Sequence, residues 1–180
     1  MEAYFDNKNN VLNARIRISR DDSVVYSIST TFGLRGRKIT VLRDDNPTIG
    51  GPAIVGIFHW KEGAFEIHGQ KKMIKDMRRI EGGFLKKTHH WKWSSKRKEY
   101  QLKYEDGLWK ATLDNNMLIA ARFSVPARPH LFTKPEPSLL HLTKTALEKD
   151  EVFVIMAFIY SEVKRQDKTN SSSVNGGIGW

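Results

Sequence analysis

One stretch near the end of the chain limits the folds open to it: Asp150-Glu-Val-Phe-Val-Ile-Met-Ala-Phe-Ile-Tyr-Ser-Glu-Val-Lys-Arg165. Every residue from Val152 to Tyr160 is apolar or aromatic. Glu148, Asp150 and Glu151 precede the run, and Lys164, Arg165 and Lys168 follow it. That charge order complements a helix macrodipole. A helix apolar on every face must be covered on every face. A membrane span needs about 20 apolar residues, and this run is far shorter, so protein must cover it. The chain before residue 145 is patterned as short strands, and the cover it can supply is a curved or closed sheet. Val, Ile and Phe also favour strands, so a central strand is the alternative. The charged ends, and the absence of Gly or Pro from Glu162 to Lys168, favour the helix.

The chain has 180 residues, enough for one domain with a real core. It has no Cys, which excludes disulfides and thiolate metal sites. Met1 to Lys8 hold no apolar h-region of a secretory signal, so a cytosolic or nuclear location is expected. A net charge of +10 and a pI near 9.8 favour anionic partners: nucleic acid, a membrane surface or an acidic protein.

Strand patterns recur along the chain. Ala14–Ile18, Val24–Thr30 and Lys38–Arg43 come first, with turn residues at Arg20–Ser23 and breaks at Gly33 and Gly36. Asp44–Pro47 and Gly50–Pro52 are turn chemistry. Ala53–Trp60 is the most apolar candidate, and Lys61-Glu-Gly63 turns it back into Ala64–His68. Met73, Met77 and Ile80 have the spacing of a short helical stripe ended by Gly82-Gly83. Strand patterns resume at Thr88–Trp93, Glu99–Tyr104, Leu108–Leu113 and Met117–Val125, with turns at Asp106-Gly107 and Asp114–Asn116. Pro126, Pro129, Pro135 and Pro137 make a loop before a last strand, Ser138–Thr143. The Ser/Gly-rich tail, 168–180, has too little apolar surface for a core and is expected to be disordered, leaving a single domain over 1–167.

About ten short strands and then one very hydrophobic helix resemble the tubby-like fold group, which includes tubby proteins, phospholipid scramblases and LURP-one-related proteins. The chain more closely resembles an uncharacterised fungal domain family placed in that group. The landmarks are Tyr26–Thr30, Ile39–Arg43, Ile54–Trp60, Tyr100–Lys103, Ala120–Phe123 and the 150–165 run. The resemblance implies a mainly β protein. Its fold would be a closed antiparallel β-barrel of about ten to twelve strands around one C-terminal helix at about 146–166.

Motifs for catalysis are missing: the sequence has no Gly-x-Ser-x-Gly elbow, P-loop, Gly-x-Gly-x-x-Gly or His-Glu-x-x-His, and no cofactor is expected. His59 and His68 lie on adjacent hairpin strands and could face each other as part of a hydrolase or nuclease site; nothing else in the sequence assembles around them. His89 and His90 are adjacent, so a regular strand points them to opposite faces and denies them a shared metal. Asp21-Asp22 and Asp44-Asp45 suit a calcium or magnesium site, but turn chemistry explains both without a metal.

The feature that stands out is basic. Residues 70–98 hold Lys71, Lys72, Lys75, Arg78, Arg79, Lys86, Lys87, Lys92, Lys96, Arg97 and Lys98 against only Asp76 and Glu81, a net +9. Trp91 and Trp93 share one strand face, with Lys92 opposite. The expected role is non-enzymatic binding of anionic membrane lipid at a membrane periphery, with phosphoinositide headgroups first. Tubby relatives suggest the ligand class, and each base near an anionic surface contributes about 1 kcal/mol. The rival is RNA or DNA held by the same lobe with Trp stacking. The bland alternative is a solvated basic loop with both Trp in the core.

Overall fold

A computed structural model describes residues 1–34, 36–47, 53–82, 88–113, 118–126 and 136–175. The turns expected at 50–52 and 114–116, Pro129, His130, Pro135, Lys86, Lys87 and residues 176–180 lie outside them. The chain opens with β1 (Glu2–Phe5), β2 (Ala14–Ile18), β3 (Val24–Gly33), β4 (Gly36–Asp44), β5 (Ile54–His59), β6 (Ala64–Ile67) and β7 (Gln70–Met73). A single turn, α1 (Ile74–Met77), leads directly into β8 (Arg78–Glu81). Then come β9 (Thr88–Lys92), β10 (Glu99–Glu105), β11 (Leu108–Leu113), β12 (Ile119–Ser124) and β13 (Leu139–Leu142). The turn α2 (Lys144–Leu147) precedes the long helix α3 (Glu151–Asn175).

Among the described residues the thirteen strands form one antiparallel sheet, ordered β7-β6-β5-β4-β3-β2-β1-β13-β12-β11-β10-β9-β8. The expected closed barrel of ten to twelve strands does not form. Neighbours alternate in direction and the strand number is odd, so the edge strands β7 and β8 run the same way. A parallel pair needs a crossover of about a dozen residues or more, and only the four residues of α1 separate these two. Inside α1 the backbone bonds itself, with Arg78 N–H donating to Ile74 C=O. The helical stripe expected from Met73, Met77 and Ile80 is therefore one turn between two strands, because β6 and β9 offer ladders to the residues on either side.

The sheet curls around α3, whose residues Phe153 to Val163 are all buried. Opposite parts of the sheet reach the same helix. Phe123 of β12 packs on Phe158, Trp91 of β9 on Phe153, and Trp60 beyond β5 stacks on Tyr160. Gly56 of β5 allows the closest approach: a Cβ there would lie 2.7 Å from the Met156 sulfur. One charged residue is fully buried on α3. Glu162 accepts hydrogen bonds from Trp109 Nε1 at 2.8 Å, from Arg165 at 2.7 and 2.8 Å, and from Gln166 at 2.8 Å. A buried carboxylate is tolerable only with such pairing. The helix starts later than expected and runs to Asn175 rather than ending near 166. No Gly or Pro occurs between Glu151 and Gly176, and adding residues to a formed helix costs little.

Candidate functional site

The basic segment lies where the sheet's two edges meet, and that position sorts its cations. Arg78 points inward, its guanidinium 5.7 Å from the Trp91 ring centroid and 5.5 Å from that of Tyr160. Lys72 reaches from β7 across the gap and donates to the Trp93 carbonyl at 2.7 Å. Lys71 pairs with Glu62 at 2.6 Å and holds that carboxyl below its ordinary range. Arg79 pairs with Glu81 and with Glu99, and Arg97 with the buried Asp150. Lys75, Lys92, Lys96 and Lys98 enter no ion pair among the described residues. Of the nine cations of the block among the described residues, five are thus engaged by partners and four are not.

A groove of about 430 Å³ lies beside the seam, lined by Lys71, Lys72, Asp76, Lys92, Ser94 and Ser95 among others; of the four lysines without an ion pair, Lys92 is in that lining. β7 and α1 form one wall; the end of β9 and the chain after it form the other. Ammonium groups with two hydroxyl donors suit a phosphate or another oxyanion. Ser94 and Ser95 carry no signal of their own in the sequence except their place between Trp93 and the Lys96-Arg97-Lys98 run.

Trp91 and Trp93 are in the core. Trp91 stacks on Phe65 with centroids 5.6 Å apart, and Trp93 packs on Phe153. They line the inner side of the seam between the sheet's edges and offer no open platform for a base or a bilayer.

His59 and His68 lie apart. His59 sits opposite Ala64 and bonds Glu66 at 2.9 Å, whereas the amide of His68 donates to Val55 at the other end of the hairpin. The expected facing of His59 and His68 fails because the β5–β6 register places them at opposite ends. His89 lies inside against the Trp109 ring. His90 lies on the other face, its ring nitrogens each 3.0 Å from a carboxylate oxygen, of Glu81 and of Glu99. The Asp pairs do turn work: Asp21 accepts from Ser23 N–H and Oγ, which lowers its pKa, and Asp44 accepts from Asn46 N–H. No group of three or more potential metal ligands occurs among the described residues.

A second cavity, of about 340 Å³, opens at the N-terminal end of α3, and Tyr26, Asp44, His68, Arg97 and Glu151 are among its lining residues. Burial pushes the Glu151 carboxyl above its ordinary range, partly offset by its hydrogen bond with Tyr26. Burial and the Glu151 charge push the Tyr26 phenol up in turn. The cavity lining contains no Ser or Thr to act as a nucleophile. Sequence spacing did not unite these residues, which come from β3, β4 and α3 and from the chain after β6 and after β9.

No curated protein and no solved structure matches the chain. A family model does match, over residues 9–167, which takes in β2 to β13 and most of α3. The chain belongs to that family, described as a family of unknown function, DUF6593.

Proposed function

We propose that this protein is a non-catalytic binding module for anionic membrane lipid, engaging phosphate-bearing headgroups at the lysine-lined groove. The observation that carries the reading is a groove that presents Lys71, Lys72, Lys92, Ser94 and Ser95, with Lys75 and Lys96 next in sequence to its lining residues Asp76 and Ser95 and Lys98 two residues further on. The tubby-like resemblance suggests the same ligand class. Burial of Trp91 and Trp93 weighs against nucleic acid, because single-strand binding draws about 1–3 kcal/mol per base from aromatic stacking. No helix among the described residues is long and apolar enough to cross a membrane, so engagement through the groove would be peripheral.

The test is flotation with phosphoinositide-containing vesicles against retention of single-stranded RNA, both at low salt. Removing Lys75, Lys92, Lys96 and Lys98 as Gln should weaken vesicle binding about a thousandfold, at about 1 kcal/mol per base. Lys72 and Arg78 are left alone because they face the seam, and Arg79 because it pairs with Glu81 and Glu99. Wild-type protein that retains RNA and ignores the vesicles would replace lipid with nucleic acid.

A further inference from the structure

We propose that the tip of the β3–β4 hairpin is a membrane wedge: Phe32 and Leu34 enter the headgroup–acyl boundary of an anionic bilayer while nearby cations engage its surface. The proposal rests on the membrane reading above for its ligand but uses a different part of the molecule. β5 and β6 lie between this hairpin and the groove strand β7.

Phe32 is 62% exposed and Leu34 stands fully in solvent. Single exposed apolar residues need no explanation, but these two lie two residues apart at the tip of the longest hairpin of the sheet. The tip stands clear of its neighbours. The ladder from β4 to β5 begins only at Ile39↔His59, and on the other side the last bonds from the β1–β2 loop reach Thr30. Phe32 pairs with Arg37 and Gly33 with Gly36, so the hairpin stays laddered to its end.

The tip is also braced. Arg37 bonds both carboxylate oxygens of Asp167 on α3, at 3.0 and 2.7 Å, and its guanidinium lies 5.4 Å from the Trp60 ring centroid. Trp60 in turn donates from its backbone to the Lys38 carbonyl and from Nε1 to Thr40 Oγ1. A braced apolar tip loses little conformational freedom on insertion, which favours binding.

Charge around the tip matches an anionic surface. Lys38, Lys61, Lys164 and Lys168 are exposed at this end, and Lys61 and Lys164 line one pocket beneath Trp60. The nearby acids Glu62 and Asp167 are paired with Lys71 and Arg37. Area decides between a bilayer and a protein partner. A stable protein interface takes about 800 Å² from each side, which two side chains on a narrow turn cannot supply. A bilayer needs only apolar groups that reach the boundary region and bases beside them.

The chain has no cysteine, so Leu34→Cys can carry one environment-sensitive nitrobenzoxadiazole label. Its emission should shift to the blue on vesicles of phosphatidylserine and phosphatidylcholine. The Phe32→Ser/Leu34→Ser double variant, with an unchanged circular dichroism spectrum, should partition about a hundredfold more weakly, the loss expected from two large apolar side chains. An unshifted probe on protein that pellets with vesicles would overturn the wedge. So would a shift that follows protein concentration without vesicles, which would make a second copy the occupant. If the lysine-to-glutamine groove variant loses vesicles and the tip variant keeps them, the wedge falls and the groove reading stands. The converse result removes the groove reading and keeps the wedge. Wild-type protein that ignores anionic vesicles overturns both.

Discussion

Lys72 of the edge strand β7 and Trp93, just past the end of β9, meet across the gap in an open sheet. The lysine Nζ donates to the Trp93 carbonyl at 2.7 Å and lies 4.7 Å from the centroid of the same residue's ring. β7 and β8 form no ladder with each other, so side chains must close the seam. Lys72 does so outside the core, Phe65 against Trp91 inside it.

Lys72→Ala should therefore destabilise the protein by about 1–2 kcal/mol, the value of a charge-assisted hydrogen bond to a half-covered carbonyl. Lys75→Ala, one turn away and without an ion pair among the described residues, should stay within about 0.5 kcal/mol of wild type. Urea unfolding of both variants checks this. Equal midpoints would show that the seam does not depend on Lys72.

Ile155→Asp and Phe158→Asp should each leave the chain unfolded. Both side chains are about 1% exposed and face protein on every side. An unpaired buried carboxylate costs several kcal/mol, comparable with the whole stability of a domain, about 5–15 kcal/mol. Soluble expression with a wild-type melting temperature would contradict the buried position of α3.

Glu151 makes stability pH-dependent in a direction fixed by its burial. Its carboxyl titrates above the ordinary range in the folded protein, so the protonated form is favoured there over the unfolded chain. The favourable contribution is complete below the unfolded value and is lost as pH rises through the raised one. Glu151→Gln mimics the protonated form and keeps an acceptor for the Tyr26 hydroxyl. It should raise the melting temperature at pH 7, with an advantage that shrinks on acidification and vanishes below the ordinary Glu range. Melting curves of the two proteins at a series of pH values read this. A constant difference between them would assign the effect to something other than ionisation.

Patterns that depend only on neighbours along the chain were legible. Leu108–Leu113 and Ala14–Ile18 alternate as strands and form strands of those bounds. Asp106-Gly107 reads as a tight turn, and both residues adopt positive φ. Val152–Tyr160 is helical, and Phe153–Tyr160 is buried, because a helix that is apolar on every face must be covered on every face. Gln70–Glu81 was not legible in this way. Its apolar spacing suits a helix, yet β6 and β9 recruit its two ends as edge strands, and pairing with partners remote in sequence outweighs local preference.

The candidate site divides along the same line. Counting charge locates the basic block between residues 70 and 98 and sets its sign, since charge needs no fold to be summed. Which of those cations are available is a tertiary matter. Arg78 and Arg79 are adjacent in sequence, but one faces Trp91 and Tyr160 inside the seam while the other pairs with Glu99 outside it. Lys72 is committed to Trp93 and Lys75 is not. Barrel closure was decided there too. A run of strand patterns shows that a sheet will wrap the helix, but not that the odd strand count sets both edges in one direction, with only α1 between them. Edge direction is a property of the whole strand order, and no local stretch of residues encodes it.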